Sequence, residues 1–253
     1  MTTPPAAHRF RFTVQYDGAG FFGWQLQPDR RTVQGELERV LSRLFDAPTR
    51  VIGSGRTDRG VHARGQVAAV DGPAKWEATT LERAMNALLP PDVRVIETAL
   101  APSRFHPRYG AVARTYQYRV GTAAESQSPF EAPWCWALGK EPDLRLLRTA
   151  ARELLGDNSF LAFAKAGQEE RGDRCIVEHA DWSQWSDLGL EFHITANRFL
   201  HHMVRYLVGT QIAIGLGERD PADLRGLLAS APELRTSPPA PPQGLFLLSV
   251  SYS

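Results

Sequence analysis

Cysteine is nearly absent. Cys135 and Cys175 are the only two in 253 residues, and they lie far apart with no CxxC around either. This argues against a disulfide framework and against a structural zinc site, and it suits a reducing cytoplasm. Lysine is scarce too, since 26 of the 29 basic residues are arginine. No apolar run approaches the roughly 18 residues of a membrane span. The opening MTTPPAAHRF has no basic segment followed by an apolar stretch, so no leader is expected. No GK[ST] follows the glycine-rich stretch 53–60, which excludes a P-loop there.

What is present looks globular, with 43% hydrophobic and 23% charged residues. The length allows one large domain or two small ones, each with its own core. A net charge of +1 hides an asymmetry. Residues 1–120 hold 17 Lys and Arg against 11 Asp and Glu, while residues 121–253 hold 12 against 17. The arginine excess fits codon bias in a GC-rich genome. It also fits phosphate contact by guanidinium forks.

The hydrophobic pattern predicts an α+β chain. RFRFTVQY (9–16) alternates as a strand, with Phe10, Phe12, Val14 and Tyr16 on one face. Thr32 is a candidate N-cap for a helix whose stripe is Val33, Leu37, Val40, Leu41 and Leu44. Strands follow near 50–54 and at QVAAV (66–70). A second helix from Thr79 or Thr80 carries Leu81, Met85 and Leu88 and stops at Pro90 and Pro91. Strands at 92–99 and 108–120 complete the first half, 1–120. Residues 121–142 read as a connection. The second half, 143–253, repeats the order with a helix at 143–155, strands near 174–185 and 189–196, helices at 198–214 and 222–229, and a last strand LFLLSVSY. Two such groups argue for an internal pseudo-repeat in element order.

DGAGFFGW (17–24) contains a literal GxGxxG at Gly18, Gly20 and Gly23. A dinucleotide site needs a helix directly after these glycines, whereas aromatic residues and Pro28 follow here. The stretch GSGRTDRGVHARGQ (53–66) is more informative. T-D-x-G is a common turn, with the Asp bonding nearby N–H groups. Yet Asp58 lies between Arg56 and Arg59, and opposed cations keep a carboxylate ionised even when partly buried. Flanking glycines admit a close approach by a ligand. Such an Asp is a candidate nucleophile. His62 is a candidate acid or base, or a structural residue. Tyr116 and Tyr118 share a strand face, as core or as a stacking platform. In NRFLHHMVRYLVG (197–209), helical spacing puts His201 and His202 beside Arg205, a candidate fixed cation.

Five blocks occur in order: YDGAGFFGWQLQ (16–27), GSGRTDRGVHARGQV (53–67), RTYQYRV (114–120), NRFLHHMVRYLVG (197–209) and QGLFLLSVSY (243–252). Together they resemble the TruA family of tRNA pseudouridine synthases over nearly the whole chain. The resemblance implies isomerisation of uridine to pseudouridine in the tRNA anticodon stem-loop, at positions 38, 39 and 40, without cofactor or metal. It implies Asp58 as nucleophile, attacking C1′ of the ribose or C6 of the base. Tyr116 would stack on the target base, and Arg205 would pair with the aspartate. Arg56 would help extrude the nucleotide. Arg59, His62, Gln66, Arg114, His202 and Leu245 would complete the substrate contacts. The implied fold is two ferredoxin-like α+β halves with mainly antiparallel sheets meeting at a central basic cleft. The implied assembly is a cytoplasmic homodimer with tRNA as partner and no membrane association.

Arg9, Arg11, Arg59, Arg64 and Arg114 are the expected phosphate contacts of the basic half. Arg59 stands where the family most often has a small Ala. The segments 159–166 and 167–182 follow the family pattern only loosely. Two other classes stay open: a non-catalytic RNA-binding protein on the same fold, and a hydrolase with an Asp nucleophile. A hydrolase would want a second carboxylate or a metal.

Overall fold

The structure, a computed structural model, describes residues 7–165 and 172–253. The chain divides into two compact units, Met1–Val112 with Leu247–Ser253, and Ala113–Phe246.

The first unit follows the order β1 (Ala7–Tyr16), α1 (Val33–Phe45), β2 (Ile52–Gly53), β3 (His62–Pro73), α2 (Ala78–Leu88), β4 (Val93–Ala101). β1 pairs antiparallel with both β3 and β4, and β2 pairs antiparallel with β3. This βαββαβ order with neighbours β4-β1-β3-β2 is the ferredoxin-like arrangement. β1 keeps its alternation, burying Phe10, Phe12, Val14 and Tyr16, and the two helices bury Leu37, Leu41, Leu81 and Met85. Thr32 caps α1, its hydroxyl accepting from Gly35 N at 3.2 Å. α2 begins one turn's edge earlier than its threonines suggest, after Glu77, which makes no side-chain cap bond. Asn86 then pins α2 to β4, donating to Val95 O at 2.7 Å and accepting from Val95 N at 2.9 Å.

The second unit contains β5 (Ala111–Gly121), β6 (Trp136–Ala137), α3 (Leu144–Arg152), β7 (Gly156–Ser159), β8 (Arg174–Trp185), β9 (Gly189–Ala196), α4 (Met203–Gly215), α5 (Asp223–Leu228) and the start of β10 (Leu245–Tyr252). Its strands run in the order β10-β5-β9-β8-β7. The pairs β5–β9, β9–β8 and β8–β7 are antiparallel, and the short β6 is parallel to β5. Leaving out β6, β7 and α5, the same βαββαβ order recurs, so the α+β class and the pseudo-repeat are both present. Asp143 caps α3 by accepting from Arg145 N and Leu146 N. The core centres on Trp182, stacked on Phe192 at 5.1 Å, with Trp182 Nε1 donating to Gln211 Oε1 at 3.0 Å.

Residue 166 and the start of the loosely matching 167–182 segment lie outside the described residues. Among the described residues, no helix is long and apolar enough to cross a membrane.

Candidate active site

Asp58 sits half-buried in the turn between β2 and β3. Polar side chains of the first unit fix that turn from behind. Tyr16 Oη and Thr57 Oγ1 share a buried hydrogen bond of 2.7 Å. Trp24 N donates to Thr57 O at 3.0 Å, and Val61 N donates to Asp58 O at 3.2 Å. Gln66 is fully buried. It accepts from Ser54 Oγ at 2.6 Å and donates to Gly55 O at 3.1 Å. Gln66 therefore braces the loop from inside. A buried, satisfied network of this kind holds one geometry, because any lost partner leaves a costly unpaired group.

Two glycines of the GxGxxG, Gly18 and Gly23, serve the same loop. Gly18 and Gly20 bound a short 3₁₀ turn, and the next helix starts only at Val33, so the dinucleotide reading fails on geometry. A Cβ on Gly18 would lie 2.1 Å from Val61 O. Gly23 has φ +91°, and its Cβ would lie 2.6 Å from Thr57 O. Both glycines let the 17–24 segment press against the Asp58 turn. His62 is buried, and its Nδ1 accepts from Gly18 N at 3.0 Å. The same nitrogen lies 3.1 Å from Asp17 Oδ1. His62 therefore ties the two segments together. Arg56 and Arg59 are exposed, and the Arg59 guanidinium lies 4.3 Å over the Phe22 ring.

The second unit gathers the other expected residues. Tyr116 on β5 is half-buried, with its ring edge-on to Phe199 at 4.9 Å and 79°. Arg114 Nη1 donates to Asn197 O at 2.9 Å. Tyr118 differs from Tyr116: it is fully buried and donates to Pro241 O at 2.7 Å. Burial pushes its phenol well above the usual range. The helical spacing expected for His201 and His202 is not observed. α4 begins at Met203, and His202 lies before it at φ 66°. The two imidazoles are 4.2 Å apart in the turn. A left-handed residue breaks the helical face, so His201 and Arg205 are not helix neighbours four apart.

Arg205 is on α4, half-buried. Its Nε donates to Ala240 O at 2.7 Å, and its own carbonyl accepts from Ala240 N at 2.9 Å. Gly244 packs against β5, where a Cβ would come within 2.7 Å of the Tyr118 ring and 2.8 Å of Arg119 O. Leu245 follows, buried. Arg205, Tyr118 and Gly244 thus secure the 240–245 segment.

Two of the expected phosphate contacts have other work. Arg9 bonds both oxygens of Asp71, at 2.8 and 2.6 Å, and the carbonyl of Phe105 at 2.7 Å. The Asp71 hydrogen bond raises its pKa further. Arg11 lies 3.6 Å from Glu97 on the neighbouring strand. Cross-strand carboxylates already neutralise both. Sequence inspection gave no role to Phe22, Thr57, Trp24 or Ala240. For Phe22 and Trp24 the FFGW block is the visible signal.

The first unit holds an Asp in a braced polar turn, the second holds an aromatic strand and a helix-borne arginine, and each has the ferredoxin-like order, so the chain is an α+β protein of two related halves. The family model described as tRNA pseudouridine synthase matches residues 12–110 and 150–253. The chain belongs to this family, whose members are isomerases acting on tRNA uridine. It is similar to proteins named tRNA pseudouridine synthase A. The one from Chlorobium limicola is 39% identical, over 96% of this chain and 98% of its own length. That from Bacillus subtilis is 36% identical over 96% and 99%. That from Maridesulfovibrio salexigens is 36% identical over 96% and 90%.

Proposed function

We propose that this chain converts uridine to pseudouridine in the tRNA anticodon stem-loop, at positions 38, 39 and 40, with Asp58 as the nucleophile. The observation that carries this is the Asp58 turn. Asp58 is half-buried and flanked in sequence by Arg56 and Arg59, while the turn that carries it is held by Tyr16, Trp24 and Gln66. A rigid, partly desolvated carboxylate is what a covalent step at a sugar or base carbon requires.

A uridine stacked in a stem is out of reach. It must be flipped out, at a cost of about a few kcal/mol. Arg56 takes the space it leaves, and Tyr116 stacks on the extruded base. Asp58 attacks C1′, displacing uracil N1, or adds to C6 of the base. The N1–C1′ bond breaks, the uracil turns, C5 bonds to C1′, and the bond from Asp58 to C1′ or C6 breaks to return the free carboxylate. C5 then gives up its proton, and N1 gains one. Reactant and product are isomers, so the step balances without any oxidant or co-substrate. Arg205 holds the Asp58 carboxylate ionised and aligned. Arg59, Arg114 and His202 contact the RNA, while His62, Gln66 and Leu245 shape the surface it meets. In this proposal the 1–120 half supplies the nucleophile and the 143–253 half completes the active site. The enzyme works in the cytoplasm as a homodimer, with one tRNA touching both subunits.

The test is tRNA tritiated at C5 of uracil. Isomerisation releases tritium in proportion to pseudouridine formed, leaves the chain uncut, and continues in a chelator. Strand cleavage, or loss of free uracil, would replace this proposal with a hydrolase. Light scattering of the free protein checks the dimer.

A further inference from the structure

Two exposed arginines converge on one phenyl ring beside the Asp58 turn. The guanidinium carbon of Arg59 is 4.3 Å from the centre of the Phe22 ring, and that of Arg30 is 4.6 Å from the same point. The two cations are therefore at most about 9 Å apart, comparable with the ~8 Å Debye length at physiological ionic strength. Among the described residues, neither forms an ion pair with a carboxylate, unlike their neighbour Arg31.

The backbone sets up this convergence. Residues 22–31 fold back on themselves. Phe22 N donates to Arg31 O at 2.9 Å, Gln27 Nε2 donates to Phe22 O at 2.9 Å, and Gln27 forms a β-bridge with Arg30. Arg30 and Arg31 thus come to lie over Phe22 and Phe21 respectively. Their fates then diverge. Arg31 bonds both oxygens of Asp92, at 2.6 and 2.8 Å, and also Glu36 at 2.9 Å. Arg30 keeps its charge for solvent. Arg59 reaches the same ring from the other segment, because Gly23 lets the chain pass close to Thr57 and the Arg59 amide.

Packing alone would need only one guanidinium on the ring. A second one adds like-charge repulsion, which an anion between the two relieves. Stacking also fixes each planar fork before an anion arrives, and this reduces the entropy lost on binding. A flipped nucleotide rotates about its own backbone, so the flanking phosphate needs holding. Arg59 follows Asp58 directly in the chain.

We propose that Arg30 and Arg59, aligned by Phe22, clamp one backbone phosphodiester of the RNA next to the target nucleotide. This rests on the tRNA substrate proposed above. It gives Arg59 a role that Arg30 and Phe22 share.

The experiment is equilibrium binding of tRNA to the full chain across a range of salt concentrations, for R30A, R59A, the double variant, F22L and R31A. One shared phosphate makes the two arginine losses non-additive, so the double variant binds about as weakly as the weaker single. The double variant's log–log salt slope becomes shallower by about 0.7–0.9, the value for one phosphate. F22L keeps both charges and the slope but binds several-fold more weakly. R31A keeps the wild-type slope and melts at a lower temperature. Additive losses overturn the shared clamp, and a wild-type slope in the double variant overturns any phosphate role for the pair. Tritium release by the wild type is scored separately. Release with a wild-type slope in the double variant sinks the clamp alone. Failed release with the slope change intact sinks the reaction proposed above and leaves the clamp standing.

Discussion

Arg205 and Ala240 hold each other twice. The side-chain Nε donates to Ala240 O at 2.7 Å, and Ala240 N donates to Arg205 O at 2.9 Å. One residue of α4 thereby fixes the irregular run that leads into the 3₁₀ turn Pro242–Gly244 and then Leu245. Only one of the five guanidinium N–H donors is used in this, so the same side chain has donors left for a carboxylate. Arg205→Lys keeps the charge and loses the fork. Hydrogen bonds to charged groups are worth about 1.5–3 kcal/mol, so kcat/KM should fall by roughly tenfold or more. Faster hydrogen exchange at the Ala240 amide should accompany the loss. An unchanged exchange rate would show that the side chain does not hold this segment.

Gly23→Ala tests the support behind the Asp58 turn. The position has φ +91°, and the new methyl would lie 2.6 Å from Thr57 O. A left-handed L-residue alone costs about 1–2 kcal/mol, and the clash adds to it. The melting temperature should drop by a few degrees, about 2–4 °C per kcal/mol for a chain of this size class. Displacement of the turn by about 1 Å should lower kcat by about a hundredfold. A variant with reduced stability and normal kcat would mean that Gly23 serves folding only.

Alkaline pH should weaken the second unit. Burial pushes the Cys175 thiol up to about 11 from its ordinary 9.0. Burial likewise raises the Tyr118 phenol well above its ordinary 10.0. Both folded-state values lie above the unfolded ones, so the folded chain keeps its protons longer. The associated stability is fully present below pH 9 and declines as pH rises toward 11. Urea midpoints measured through this window should fall, and Cys175→Ala should flatten the fall. A midpoint independent of pH would contradict the burial of both groups.

Much of the fold is legible because its signals are local. The alternation of Phe10, Phe12, Val14 and Tyr16 marks β1, and Thr32 marks the start of α1 at the residue where it caps. Pro90 and Pro91 mark the end of α2. Its start is less legible, because Glu77 precedes the helix without a side-chain cap and the nearby threonines offer a false signal. β7 has the sequence GDNS, with no apolar alternation, and owes its existence to pairing with β8. The late start of α4 reflects the left-handed conformation of His202, uncommon for a non-glycine residue and overridden in the sequence by the apolar periodicity that follows.

The site divides in the same way. Asp58 stands out because a carboxylate between arginines in a glycine-rich turn is chemically odd. The bracing by Gln66, Thr57 and Tyr16 is invisible in the sequence, since it joins residues from 11 to 41 positions apart. The GxGxxG misleads for a related reason. Its glycines answer to the approach of Val61 and Thr57, which lie far along the chain. The pairing of Arg9 with Asp71 is equally hidden, since it joins residues on neighbouring strands.

The most direct test of the central claim is tritium release from C5-labelled tRNA by Asp58→Ala, with tRNA binding measured on the same preparation. The account predicts that release is abolished while binding persists, because the carboxylate forms the covalent bond and the arginines hold the RNA. Near-normal release by Asp58→Ala would contradict it and send the search for the nucleophile elsewhere.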